Sequence, residues 1–584
     1  MKEIVIEQLR RIIKQEYWIE LWELQISTPP KSNMWDLCFW CFVLAKDLKK
    51  SPMIIAEELT EFLESDWYKI SEINKAESMG GYVNFFLSSN VYAKALSDCM
   101  REWIYENIKS KSQEVIYVDY IWANVWKPLH IWHMCTPLQW QVIINAFKKL
   151  NYTVISDSHI WDWWIIFWKL IVWFKKYGDY SLLEENAVEH LFQIYVKISA
   201  DSELDNNLEQ EFRDTFKKLS SGEPELIKIW AEFTKKSISA MNILLSRLQV
   251  YPQYNIGESF YEGLWLPKME NYPDLEFSMH DIVSELISKN IASQNDDGSV
   301  WVVFSEESKI PSCILQKRDG THGYLASDLA SVKYRVINWD PKKILYFVDV
   351  RQKLHFQQVF AISKLAWWID DTTEITHAYN GFISLKDGAM STRKWKIIKL
   401  EALLDEGENR AQKIISDKRS DIDGAELQKL SETISIGAIK YWYLKKSRES
   451  DSIFDWDEYM SFEWNSGPYI QYAYVRAQKI LKSSGYTPDY DNLTFENAEE
   501  NKLIAHIISF PDVVSELTKH YYPHLLCNYV YELTKLFSAV YANVHILSEE
   551  SSSLKNSRLA LLSAFSYILE ESFDILGISL PNEM

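Results

Sequence analysis

Residues 124–133 read Asn124-Val125-Trp126-Lys127-Pro128-Leu129-His130-Ile131-Trp132-His133. Two imidazoles three residues apart, with an ammonium group upstream, can set several donors on one polyphosphate. His-x-x-His alone is a weak signal, because two structural histidines in a loop give the same pattern. Three further segments make it informative. Asp157-Ser158-His159-Ile160-Trp161-Asp162-Trp163-Trp164 ends an apolar run. Gly388-Ala389-Met390-Ser391-Thr392-Arg393-Lys394 is a small-residue loop with two adjacent cations. Such a loop suits gripping phosphates as charge develops, although a solvated basic loop reads the same way. Between them lie Gln316-Lys317-Arg318-Asp319-Gly320-Thr321-His322-Gly323-Tyr324, then Asp328, Gln352 and His355.

The elements that must carry these residues are those of a parallel α/β domain. Val115 to Asp119 is a strand, a loop runs through Pro128, and a helix is expected from about Pro137 to Leu150. Tyr152 to Ser156 and Ile344 to Val348 are further strands, and His355 to Ala366 is a helix. In open parallel sheets ligands bind at the carboxyl ends of strands, and helix N-termini there favour phosphate. Residues 180–300 are expected to be a mostly helical, charged insertion or cover. Ahead of this domain, 1–25 reads as an amphipathic helix through Ile6, Leu9, Ile12 and Ile13, with helices near 36–50 and 53–65 and a strand at Gly80 to Leu87. Beyond 400 nearly everything is helical, with a polar break at 481–501. The expected domains are 1–105 (small α/β), 106–400 (Rossmann-like, with a helical insertion), 401–454 (helical connector) and 455–584 (all-α).

Composition sets the outer limits. The chain has 584 residues, 47% apolar and 25% charged, which excludes a disordered or fibrous chain. A net charge of −20 excludes binding nucleic acid through bulk charge but permits local basic patches, such as Lys148-Lys149, Lys235-Lys236 and Lys445-Lys446 with Arg448. No run reaches the roughly 18 apolar residues of a membrane span. Six scattered cysteines and no secretory pattern predict a cytoplasmic location. Cys38 and Cys41 have no second pair at zinc spacing, so core cysteines and no structural zinc are expected. Trp is abundant (25) and Gly scarce (17), against roughly 7% Gly in average proteins.

Taken in order, these segments resemble the arginyl-tRNA synthetases, a family of class I aminoacyl-tRNA synthetases. His130-Ile131-Trp132-His133 resembles the HIGH signature, and Met390 to Lys394 the arginyl form of the KMSKS loop. Asn124 to Pro128 is similar to S-P-N-x-x-K-P, and 160–168 to I-G-D-W-G-x-x-F-G. Gly257-Glu258-Ser259-Phe260-Tyr261 matches G-E-S-F-Y, and Trp464 to Tyr472 resembles G-N-x-G-P-Y-x-Q-Y. The end, Leu576-Gly577-Ile578, also fits, so the resemblance covers the whole chain.

The resemblance implies ATP-dependent joining of L-arginine to tRNA(Arg) through arginyl-adenylate, with ATP and its Mg2+, in a monomer, and activation that requires bound tRNA. It implies ATP contacts from His130, Trp132, His133, Met390 and Ser391. Lys127, with His130, His133, Arg393 and Lys394, would be catalytic, Lys127 replacing the absent signature lysines. Arginine would be held by Asp119, Asn124, His130, Tyr324, Asp328 and Gln352, with Asp119 and Asp328 on the guanidinium. The family usually has Glu at position 119. The N-terminal domain would contact the outer corner of the tRNA and the C-terminal block its anticodon. No editing domain is implied.

The chain departs from the pattern at Cys135, where the family has Arg, and at Trp122-Ala123. It also has Trp at 35, 132, 161, 164, 168, 395 and 464, where the family has Gly. UGA encodes Gly in some bacterial lineages and Trp in others. The expectation is that these positions are UGA-encoded glycines, while Trp163, Trp230 and Trp456 are true tryptophans. If the indoles are real, the alternative is a catalytically inactive, tRNA-binding relative.

Overall fold

The computed structural model describes all residues except 21–23, 28–35, 103, 122–123, 125, 163–164, 202–205, 221, 263–271, 386–397, 456–457 and 459–464, and only the backbone of a few more, 165–168 among them. The chain forms two compact units. One comprises Met1–Asn107, Tyr472–Val513 and Tyr529–Glu571, and the other the remainder.

In the first unit the helix Lys2–Tyr17 buries Val5, Leu9, Ile12 and Ile13, one face of a 3.6-residue period. It stops short of the expected 25, because Trp18 turns the backbone into the left-handed region (φ 57°) with its indole 91% exposed. Strands β1 (Ile26–Ser27), β2 (Leu37–Trp40), β3 (Ile73–Met79) and β4 (Tyr82–Leu87) form a sheet in the order β1-β2-β4-β3. The segment expected as a helix over 36–50 therefore opens with a strand, and its helix is Phe42–Leu48. Leu37, Cys38 and Phe39 are a short apolar run whose period cannot decide between the two. Cys38 and Cys41 are buried, and burial pushes the Cys41 thiol up to about 12. The C-terminal helices bring a buried ion pair, Arg558 Nε to Glu500 at 2.7 Å.

The second unit is built on a five-stranded parallel sheet. β5 (Val115–Asp119), β6 (Thr153–Ile160) and β7 (Tyr254–Gly257) lie side by side. The chain then forms a small antiparallel sheet from β8 (Ala292–Gln294), β9 (Val300–Val302) and β10 (Cys313–Gln316). It returns through β11 (Lys343–Tyr346) and β12 (Glu374–His377) on the other edge of β5. The sheet order is β7-β6-β5-β11-β12, so it reverses direction between β5 and β11. The expected helical cover is present as Tyr180–Asp201, Asn206–Ser220, Pro224–Arg247 and Met279–Ser288, with a short helix Glu258–Tyr261. Residues 254–316 also contribute β7 and the small sheet, from strands of three or four residues that carry no readable period. β13 (Ile383–Leu385) pairs in parallel with β14 (Ser452–Phe454), the exception within the helical remainder.

The helix Lys353–Leu365 ends in a Schellman turn: Trp367 N donates to Lys364 O (3.0 Å) and Trp368 N to Ser363 O (3.1 Å). The turning residue is Trp367, at φ 60° and 88% exposed, in a position that glycine usually fills. Trp140, buried in the helix Trp132–Lys149, lies face to face with Phe347, closer than the roughly 3.5 Å at which aromatic carbons pack.

Candidate active site

A cleft of about 310 Å³ opens at the carboxyl ends of β5, β6 and β11, where the sheet order reverses. Asn124, His130, Trp132, His133, Trp161 and Gln352 all line it. β5 delivers the loop through Asn124, whose backbone bridges to Trp161 beyond β6. The helix then begins at Trp132 rather than at Pro137, which is accommodated inside it. His130 N donates to His133 Nδ1 (3.0 Å), and the ring centroids are 3.8 Å apart. Burial, with nearby Lys127, lowers His130 to about 4, and burial with His130 and Lys127 lowers His133 well below its ordinary 6.5. Both imidazoles are therefore neutral near pH 7, with His133 Nδ1 serving as an acceptor. His130 Nδ1 is buried and has no partner among the described residues.

Lys127 lines an adjoining cleft of about 400 Å³, and Asn124 lines both. Its Nζ sits 4.3 Å from the Trp126 ring and 5.2 Å from that of Tyr195, and burial lowers its pKa. Met390, Ser391, Arg393, Lys394 and Trp395 fall within 386–397, outside the described residues, as do Trp35, Trp164 and Trp464. Residues 398–400 are fixed to the histidine loop, with Ile131 N on Ile398 O (3.1 Å) and Leu400 N on Leu129 O (2.9 Å). Ile131 and Ile398, 267 residues apart in the chain, are thus tied by backbone.

The carboxylates lie apart from the cleft lining. Asp119, at the end of β5, is fully buried and accepts from Arg335 Nη2 at 2.7 Å, which also donates to Asp157 at 3.1 Å. Tyr117 and Tyr346 flank that guanidinium at 4.7 and 5.1 Å. Asp119, Asp157 and His159 cluster closely enough to hold a metal, but Arg335 supplies the positive charge there. Desolvation raises Asp157, against the pull of Arg335. Asp328 is 2% exposed on the helix Tyr324–Trp339, with Oδ2 2.5 Å from His355 Nε2. Tyr324, one turn earlier, is 6.1 Å from the Trp161 ring. Sequence reading missed Arg335. The signal was there: seven residues after Asp328 puts it on the same helix face. It also missed Asp349 and Arg351, which line the cleft beside Gln352.

Other motif segments meet as well. Asp162 accepts from Ser259 N (3.0 Å) and Ser259 Oγ (2.6 Å), and Trp230 Nε1 donates to Asp162 O (3.0 Å). Burial raises Asp162 to about 6. A Cβ on Gly257 would strike that carboxylate, so this close approach requires glycine. Gln471 Nε2 donates to Ser579 O (2.8 Å), holding the chain terminus. The basic pairs are largely engaged: Lys149 with Asp574 (2.7 Å), Lys236 with Glu184 (2.6 Å), and Arg448 is buried.

A parallel sheet of this order, with paired histidines at its reversal point, is the frame of a class I aminoacyl-tRNA synthetase catalytic domain. Comparisons with known proteins carry this further. Residues 96–456 match the catalytic domain of the class I (R) tRNA synthetases, 470–584 the DALR anticodon binding domain, and 1–87 the arginyl tRNA synthetase N terminal domain. An arginine–tRNA ligase of Fusobacterium nucleatum is 34% identical over 572 residues, covering 97% of this chain and 96% of its own. That of Lactococcus lactis subsp. cremoris is 32% identical, each chain covered in full. The solved arginyl-tRNA synthetase of Thermus thermophilus shares the fold, with a TM-score of 0.77 at 21% identity, covering 100% of both chains. The chain belongs to the arginyl-tRNA synthetase family.

Proposed function

We propose that the protein joins L-arginine to tRNA(Arg) in two steps. Arginine and ATP give arginyl-adenylate and pyrophosphate, then the arginyl group passes to the terminal ribose of the tRNA and AMP leaves. The observation that carries this reading is the cleft at the sheet reversal, with two neutral imidazoles on a loop tied by backbone to residues 398–400. The arginine carboxylate is already ionised at pH 7, so activation needs in-line positioning and charge neutralisation rather than a general base. His130 and His133 donate to the phosphates, while Lys127, Arg393, Lys394 and the Mg2+ that accompanies ATP supply positive charge. Met390, Ser391 and position 132 contact ATP. Asn124 and Gln352 hold the backbone end of arginine, Tyr324 packs on it, and Asp328 faces its guanidinium, while Asp119, the other candidate carboxylate, is held by Arg335. tRNA binds through the N-terminal and C-terminal domains of a monomer in the cytoplasm. Among the described residues no helix is long and apolar enough to cross a membrane. Arginine-dependent pyrophosphate exchange, with ATP, Mg2+ and tRNA present, tests this. Exchange that is absent, or equal with another amino acid, rejects it.

The same reading assigns glycine to positions 35, 132, 161, 164, 168, 395 and 464. What supports it is independent of the motifs. Trp18 and Trp367 take positive φ with indoles about nine-tenths exposed, so nothing rewards the side chain. Trp140 Nε1 is buried without a partner among the described residues. Trp132 sends Nε1 to Ile383 O (2.6 Å), filling space in the cleft. Trp230 differs: it is buried, hydrogen-bonded and fits. The glycine reading therefore extends to 18, 140 and 367. Peptide mass spectra of the native protein test it, and tryptophan found at 140 and 132 would favour the inactive alternative.

A further inference from the structure

We propose that His355 is a positioning residue for arginine recognition: it fixes one oxygen of Asp328 so that the other receives the substrate guanidinium. The proposal rests on the arginine reading above and narrows it.

Of the two candidate carboxylates, Asp119 is already engaged. Its Oδ2 accepts from Arg335, which is fully buried between two tyrosine rings and shared with Asp157. A second guanidinium brought to Asp119 would meet that fixed positive charge. Asp328 is different. Its Oδ2 takes the contact from His355 Nε2 (2.5 Å), while Oδ1 is buried and has no partner among the described residues. A buried acceptor left without a donor is rare in a folded protein, and here it sits on a side chain 2% exposed.

The surroundings connect this oxygen to the site. His355 lies two residues into the helix Lys353–Leu365, directly after Gln352, which lines the cleft. Tyr324, one turn before Asp328, faces Trp161 on the cleft wall. Carboxylate–guanidinium pairing is directional, so the carboxylate plane must be held. Without the imidazole, Asp328 can turn about its terminal torsion, and arginine loses its aligned acceptor while ATP loses nothing.

The test is arginine-dependent pyrophosphate exchange by the full-length enzyme carrying His355→Ala, His355→Phe or His355→Gln. A lost hydrogen bond to a charged group corresponds to about a tenfold rise in the KM for arginine. That rise is expected in Ala and Phe, with the KM for ATP and the melting temperature unchanged. Phe keeps a ring against Phe356, so packing is controlled for. Gln offers an amide N–H and is expected to recover most of the loss. An unchanged arginine KM, an equal rise for ATP, or no recovery in Gln overturns the proposal. An unsubstituted enzyme that shows no exchange with arginine overturns the functional reading together with it.

Discussion

The histidine cleft and the carboxylate cluster of the same unit handle charge in opposite ways. In the cleft, burial keeps His130 and His133 neutral, Arg351 is paired with Asp349 in the lining (2.8 Å), and Lys127 stands over two aromatic rings in an adjoining space. In the cluster, Asp119 and Asp157 share one buried guanidinium, and Asp328 is paired with His355. The first region is low in charge and can accept an anion. In the second, each of these carboxylates has a basic partner, and Asp328 Oδ1 has none among the described residues.

Substitutions can break this comparison in order of size. Arg335→Met removes the charge that two buried carboxylates share and is expected to cost about 3–5 kcal/mol of stability in denaturant unfolding. A loss below 1 kcal/mol, the scale of a surface pair, would mean the cluster is not charge-compensated by Arg335. Lys127→Ala is expected to slow adenylate formation by about a hundredfold to a thousandfold, the scale of one lost electrostatic contact in a transition state. An unchanged exchange rate removes Lys127 from the mechanism.

The pH dependence sharpens the cleft side. The His130 pKa is depressed in the folded chain, so the unfolded chain binds the proton first. Stability is fully present above the ordinary 6.5 and falls as pH drops from there toward about 4. Melting temperatures followed across that window should decline, and His130→Gln should flatten part of the decline. The smallest effect concerns tRNA. Its affinity should weaken steadily with added salt if phosphate contacts dominate, despite the net charge of −20. A salt-independent Kd would place the recognition in bases and shape.

Much of the molecule was legible in advance. β5, the helix that follows, β6 and β11 stand where apolar runs and loops put them, because central parallel strands are continuously apolar. His130, His133, Asn124 and Gln352 were readable as one site and do line one cleft. β7 and the sheet β8-β9-β10 were not readable, since three or four residues carry no period. β2 was taken for helix for the same reason.

Sequence by itself determined which chemistry was on offer: imidazoles, cations and carboxylates in an order that a parallel α/β unit would bring to one edge. It also exposed the excess of tryptophan at turns. Only the tertiary structure decided how those groups are committed. Asp119 and Asp328 are equivalent as letters, yet one is occupied by Arg335, 216 residues on in the chain, and the other keeps an oxygen open. Charge compensation in a low-dielectric interior depends on which groups become neighbours, and neighbours so distant in the chain are set by the packing of helices on the sheet, not by any local pattern.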